Sequence, residues 1–248
     1  MQGDLAMPSK PSRILIAEDE APLRNLIASL LTAEGFQVLE AQDGQEALDI
    51  LQRERVDLAI LDVMMPHRDG FEVTRWIRER SNIPIIILTA LGNTDNIVHG
   101  FALGADDYIT KPFTYKELRA RLEAILRRMR WAEEPLREPI VVQGDFVLDP
   151  AAHQATVRGK VVRLTPIETE LLRYLMSHPG QTISKGDLFR EVWGYDFVGS
   201  GNLVEVSIRR LREKVEADPS CPRYIQTVRG AGYKFVPTAR SPVQEKGG

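Results

Sequence analysis

The chain holds a single cysteine, Cys221, so it can build neither an internal disulfide nor a cysteine-rich metal centre. That scarcity fits a reducing compartment. Long apolar runs are missing too. No stretch reaches the ~18 residues of a membrane span, and the opening "MQGDLAMPSKPS" lacks the apolar core of a signal peptide. No membrane association is expected, and the cytoplasm is the expected location. The sequence has no internal repeat. What is present is ordinary for a folded domain: 43% hydrophobic and 27% charged residues with a net charge of −3. At ~100–200 residues per domain, 248 residues suggest two.

No strong excess of either charge runs through the whole chain, but the halves differ. Residues 1–128 carry 15 Lys and Arg against 20 Asp and Glu, and residues 139–248 carry 15 against 12. An acidic half followed by a basic half suggests that the second meets a polyanion.

The first half alternates β-rich runs with amphipathic stretches. Strands are expected at 13–18, 36–41, 57–62, 84–89 and 106–110, and helices near 20–34, 43–54, 69–80, 94–103 and 113–129. This pattern reads as an open parallel α/β sheet with helices on both faces. "IPIIIL" is apolar at successive positions, as a central strand covered on both sides requires. Two prolines and mixed charges in "MRWAEEPLREP" mark a linker, so the boundaries are set at 12–130, 131–139 and 140–238. Residues 140–163 alternate like an antiparallel meander. Helices follow at 166–178, 185–193 and 203–216, then a hairpin over 224–236. Thr165 with Glu168 and Ser184 with Asp187 have capping-box spacing, and Pro166 stands at the first helical position.

Strand ends carry the chemistry. Asp62 closes the third strand, and Glu18 and Asp19 close the first. In such sheets ligands bind at the carboxyl ends, where strand order reverses. If strands one and three are neighbours, three carboxylates converge and call for a hard cation, most simply Mg²⁺. Thr89 ends the fourth strand and Lys111 follows the fifth, adding a hydroxyl and an ammonium at the same edge. Each alone is commonplace: a cap, a β-former, a solvated lysine. Together they form a phosphoryl-transfer constellation with Asp62 as the nucleophile.

"LIAEDE", "LAILDVMMPHRDG", "PIIILTA" and "GADDYITKPF" resemble the receiver domain of two-component response regulators over about residues 13–129. The resemblance implies a flavodoxin-like fold with strand order 2-1-3-4-5 and phosphorylation of Asp62 by a sensor histidine kinase. It implies Mg²⁺ ligation by Asp19, Asp62 and the Met64 carbonyl, with Glu18 acting through water. Lys111 would pair with the phosphate, Thr89 and Tyr108 would shift on phosphorylation, and the peptide before Pro112 would be cis. Where the family often has Asp, this chain has Glu18.

In "NLVEVSIRRLREKVE", Val204, Ile208, Leu211 and Val215 form a buried stripe. The opposite face carries Asn202, Val206, Arg209 and Glu213, with Arg210 and Arg212 on its flanks. Alone, this describes an amphipathic surface helix. With "LTPIETELLRYLMSHPGQTISKGDLFREVWG" before it and "VRGAGYKFV" after it, the region resembles the winged helix-turn-helix output domain of the OmpR/PhoB subfamily, over about residues 140–237. By that likeness, the residues from 203 to 216 form the recognition helix in the major groove of promoter DNA. Asn202, Val206, Arg209, Arg210 and Arg212 would then face DNA, and Arg229 would reach the minor groove. Thr165 and Trp193 would support phosphate contacts, and residues 194–202 would form the loop that can touch RNA polymerase.

Phosphorylation in this subfamily pairs two receivers through the helix near 94–103, the fifth strand and the helix near 113–129, so that two output domains bind paired half-sites. Asp107 and Arg121 retain one expected cross-dimer ion pair. Ile97 stands where a basic partner for Glu117 is usual, and Ala102 where an acidic residue is expected opposite Glu123, so a weaker or rearranged homodimer is anticipated. Two other classes compete with a transcription regulator. A Mg²⁺-dependent phosphohydrolase would use the same acids, but "DVM" lacks the second acid of an Asp-x-Asp nucleophile motif. A receiver that never takes phosphate conflicts with the intact set Asp62, Thr89 and Lys111.

Overall fold

The computed structural model describes residues 11–90, 99–100, 102–130, 139–195 and 203–237, with backbone alone at 127–130. Two compact units divide the chain, Met1–Arg119 and Ala120–Gly248.

The first unit contains β1 (Arg13–Ala17), α1 (Ala21–Ala33), β2 (Gln37–Ala41), α2 (Gly44–Arg53), β3 (Leu58–Asp62), α3 (Gly70–Arg80), β4 (Ile85–Ala90) and β5 (Asp107–Lys111). The next helix, α4 (Tyr115–Arg130), spans the division between the units. The helix expected near 94–103 falls largely outside the described residues, with Ile97. The strands form one sheet in the order β2-β1-β3-β4-β5, and every pair is parallel. The inner strands β1, β3 and β4 are buried on both faces along nearly all their length, which explains their unbroken apolar runs. Strand order reverses between β1 and β3, and their register pairs Ala17 with Leu61. The residues that follow, Glu18 and Asp62, therefore leave the sheet side by side.

Local capping fixes where the helices begin. Asp43 accepts the Glu46 N–H ahead of α2, and Asp69 forms a full capping box with Glu72 ahead of α3. This cap ends the loop after β3, which begins at Val63.

The second unit opens with a meander, β6 (Val141–Gln143), β7 (Phe146–Asp149), β8 (Gln154–Val157) and β9 (Lys160–Arg163), paired in sequence order and antiparallel throughout. Arg158 and Gly159 turn β8 into β9 with φ of 50° and 77°, the pair of positive angles of a tight hairpin turn. Helices α5 (Pro166–Ser177), α6 (Lys185–Trp193) and α7 (Leu203–Val215) follow, with β10 (Thr182–Ile183) between the first two. Strands β11 (Ile225–Val228) and β12 (Gly232–Phe235) then form the terminal hairpin, in a sheet ordered β10-β12-β11. Phe146 of the meander meets Tyr224 and Phe235 edge-on at 4.6 and 5.2 Å between centroids, so one aromatic cluster ties the meander to the hairpin.

The predicted capping box at Thr165 is complete: its hydroxyl accepts the Glu168 N–H, and Glu168 accepts the Thr165 N–H. The one at Ser184 is only half formed. Ser184 accepts the Asp187 N–H, but the Asp187 carboxylate takes the Ser184 hydroxyl proton at 2.7 Å. Aspartate is one methylene shorter than the glutamate that reaches the cap backbone.

Candidate functional site

Glu18 and Asp19 follow β1, Asp62 ends β3, Thr89 lies near the end of β4 and Lys111 ends β5. Carboxylate oxygens of Glu18, Asp19 and Asp62 lie within 4.8 Å of one another. Glu18 and Asp62 are buried, and Asp19 is exposed. The Lys111 ammonium donates to Asp62 Oδ2 at 2.9 Å and to Glu18 Oε1 at 2.9 Å. Glu18 Oε2 stands 2.7 Å from the same nitrogen, yet accepts no hydrogen bond. The Thr89 hydroxyl is buried and has no hydrogen-bond partner among the described residues. The peptide between Lys111 and Pro112 is cis.

Burial pushes the Glu18 carboxyl above its ordinary range, the Asp62 charge adds to this, and Lys111 opposes both. Burial works against the Lys111 charge, but the hydrogen bonds and charges of Glu18 and Asp62 outweigh it and raise its pKa. Three carboxylates around one ammonium leave an excess of negative charge over a set of hard oxygen donors. Three carboxylates with oxygens so close together fit a small divalent cation in this cleft, and Mg²⁺ suits the donor type. Met64, two residues beyond Asp62, is 70% exposed.

Two supports escaped the sequence reading. Arg24 donates from α1 to the Glu18 carbonyl at 2.7 Å, gripping the backbone that presents the two acids. Gly70 begins α3 so close to β3 that a Cβ there would stand 2.1 Å from the Asp62 carbonyl oxygen. The Asp-Gly pair at a helix start was the available signal, but a turn or cap explains it equally well from sequence alone.

Tyr108 is half-buried in β5, with its N–H bonded to Asp107 Oδ1 at 2.8 Å. Among the residues expected at a dimer face, Asp107 is 1% and Arg121 8% exposed, and Glu117 is intermediate in the first turn of α4.

In the second unit α7 presents the predicted stripe: Val204, Ile208, Leu211 and Val215 are all buried. Arg209 is exposed and pairs with Glu213 at 3.1 Å, and Val206 is half-exposed on the same face. Arg229 is exposed in the β11–β12 turn. Asn202 and most of the 194–202 loop lie outside the described residues. Arg210 departs from the expected flank position. Its side chain is 9% exposed and pairs at 3.0 Å with Glu168, itself fully buried and also bound by Lys214. These cations pull the Glu168 carboxyl below its ordinary range against the effect of its burial. Arg212 is half-buried and donates to the Ile225 carbonyl at 2.9 and 2.6 Å and to the Thr227 hydroxyl at 2.8 Å. Thr165 and Trp193 are fully buried, so the expected phosphate support from them is not available: Thr165 spends its hydroxyl on the α5 cap, and Trp193 stacks on Phe189.

Residues 14–123 match the response regulator receiver domain, and residues 159–235 match the C-terminal domain of transcriptional regulatory proteins. Solved structures include chains similar to this one. A RitR mutant is 28% identical, covering 90% of this chain and 98% of its own, with a TM-score of 0.70. Response regulator DrrB, described as a Thermotoga maritima OmpR/PhoB homologue, is 30% identical over 91% of this chain and 99% of its own, with a TM-score of 0.49. A Francisella response regulator receiver domain is 35% identical over 47% of this chain and 98% of its own, with a TM-score of 0.45. The chain is thus a flavodoxin-like receiver followed by an α+β output domain of winged helix-turn-helix type. It belongs to the two-component response regulators, with the domain pairing of the OmpR/PhoB type.

Proposed function

We propose that this regulator takes a phosphoryl group on Asp62 from a sensor histidine kinase and converts it into promoter binding by the output domain. The observation that carries the reading is the Lys111 ammonium held 2.9 Å from Asp62 beside two further carboxylates at the strand ends. In the transfer, an Asp62 carboxylate oxygen attacks phosphorus, the bond from phosphorus to the kinase imidazole breaks, and the imidazole leaves with that electron pair. Lys111 gives up its bond to Asp62 and pairs with a phosphoryl oxygen, and the unpartnered Thr89 hydroxyl donates to another. Mg²⁺, held by Asp19, Asp62 and the Met64 carbonyl with Glu18 through water, supplies charge compensation for the phosphoryl oxygens when bound. Thr89 and Tyr108 carry the change to the face near Asp107, Glu117 and Arg121, where two copies pair once the buried Asp107 and Arg121 are brought to the surface.

The domains are assigned as 12–130 and 140–238, joined by 131–139. Val206, Arg209 and Asn202 face the major groove, and Arg229 enters the minor groove. Arg212 braces the helix in the free protein and meets DNA only from its flank, whereas Arg210, buried against Glu168, holds the helix from inside the domain. Regulator bound at paired half-sites presents the 194–202 loop to RNA polymerase. The regulator works in the cytoplasm and has no turnover chemistry beyond slow loss of its own phosphoryl group. Footprinting of genomic DNA with acetyl phosphate and Mg²⁺ tests this: protected paired sites should sharpen on phosphorylation for the native chain and stay weak for Asp62→Asn. Equal protection by both would overturn the coupling.

A further inference from the structure

One buried carboxylate belongs to neither the phosphoacceptor site nor the exposed face of α7. Glu216, 8% exposed, caps the C-terminal end of α7. Its Oε2 accepts the Arg223 N–H at 2.9 Å, and its Oε1 accepts those of Tyr224 and Ile225 at 2.9 and 2.8 Å. Three successive backbone donors at the entry to β11 therefore converge on one side chain. One turn earlier on α7, Arg212 holds the Ile225 carbonyl and the Thr227 hydroxyl of the same strand. A helical carboxylate and a helical guanidinium thus engage donors and acceptors of one strand from adjacent turns. Hydrogen bonds to charged groups are stronger than those between neutral ones. Together these bonds fix β11 against α7 in both position and tilt.

We infer that Glu216, assisted by Arg212, is a positioning residue that sets the offset between the helix reading the major groove and the hairpin tip carrying Arg229. This rests on the DNA-reading role proposed above. The hairpin is short: four paired residues on β11 end at Val228, one residue before Arg229. An error in angle at its base therefore moves the guanidinium relative to the helix, and Arg229 can no longer enter the minor groove while α7 sits in the major one.

The test uses the full chain, phosphorylated by acetyl phosphate with Mg²⁺, on a promoter fragment found by the footprinting above. Guanine methylation protection reads the major groove, and hydroxyl-radical protection reads the minor groove. Glu216→Ala should keep the first and lose the second, and should weaken binding by the factor that Arg229→Ala does. The double variant should bind no more weakly than either single one. Glu216→Gln keeps an oxygen for the Tyr224 and Ile225 N–H groups and should recover most of the minor-groove protection. If Glu216→Ala weakens both protections together, if its effect multiplies with that of Arg229→Ala, or if Glu216→Gln is as defective as Ala, the positioning role is overturned. A native chain that protects no DNA would instead overturn the DNA-reading proposal, so the two failures are distinguishable.

Discussion

At the scale of single residues, the acidic cleft at the strand ends is a compromise between charge and burial. Glu18 has a carboxyl pushed up by burial and by Asp62. A carboxylate whose folded pKa exceeds its unfolded one contributes stability below the unfolded value, and that contribution is lost as pH rises through the folded value. The native chain loses it progressively as pH rises, whereas a neutral amide never titrates. Glu18→Gln should therefore raise the thermal midpoint at pH 7, with the gain shrinking toward pH 4, as read by calorimetry across that range. Added Mg²⁺ should stabilise the native chain more than the variant. Gly70 gives a steric prediction. Its Cβ would meet the Asp62 carbonyl oxygen at 2.1 Å, so Gly70→Ala must displace α3 or the end of β3. A loss of roughly 1–3 kcal/mol is expected in urea unfolding, with slower phosphorylation of Asp62.

At the scale of elements, the inner strands and α7 were legible because their periodicity is local. "IPIIIL" reads as a strand covered on both sides, and the Val204, Ile208, Leu211 and Val215 stripe reads as a helix face, before any neighbour is known. Arg210 shows where locality stops. It stands about 100° from Leu211, the nearest residue of that stripe, and the buried Glu168 on α5, 42 positions earlier, draws it inward. Nothing near Arg210 in sequence announces that partner. Thr165 and Trp193 misled for a related reason: a hydroxyl at a cap and an indole near a helix end look available until the cap bond and the Phe189 stack are seen. Removing the Glu168 carboxylate tests the buried pair. Glu168→Ala leaves Arg210 and Lys214 without their shared counter-ion and also breaks the α5 capping box. A destabilisation of roughly 3–5 kcal/mol is expected in denaturant unfolding of the full chain. A loss below about 1 kcal/mol would show that water solvates the two cations instead.

At the scale of the whole molecule, the asymmetry of charge matches the division of labour. The acidic first half gathers carboxylates around a cation-seeking cleft, and the basic second half offers Arg209 and Arg229 on exposed surfaces. If Arg229 neutralises one phosphate, Arg229→Ala should lower the slope of log affinity against log salt by about 0.9, measured by anisotropy titration over a salt series. An unchanged slope and affinity would remove it from the interface. The central claim is that the strand-end acids and Lys111 make Asp62 an acceptor of phosphoryl groups. Intact-mass and peptide mass spectrometry after acetyl phosphate treatment test it most directly. One phosphoryl group on the peptide containing Asp62, dependent on Mg²⁺ and lost in Asp62→Asn, is the predicted result. No incorporation with Mg²⁺, or incorporation that survives Asp62→Asn, would contradict it.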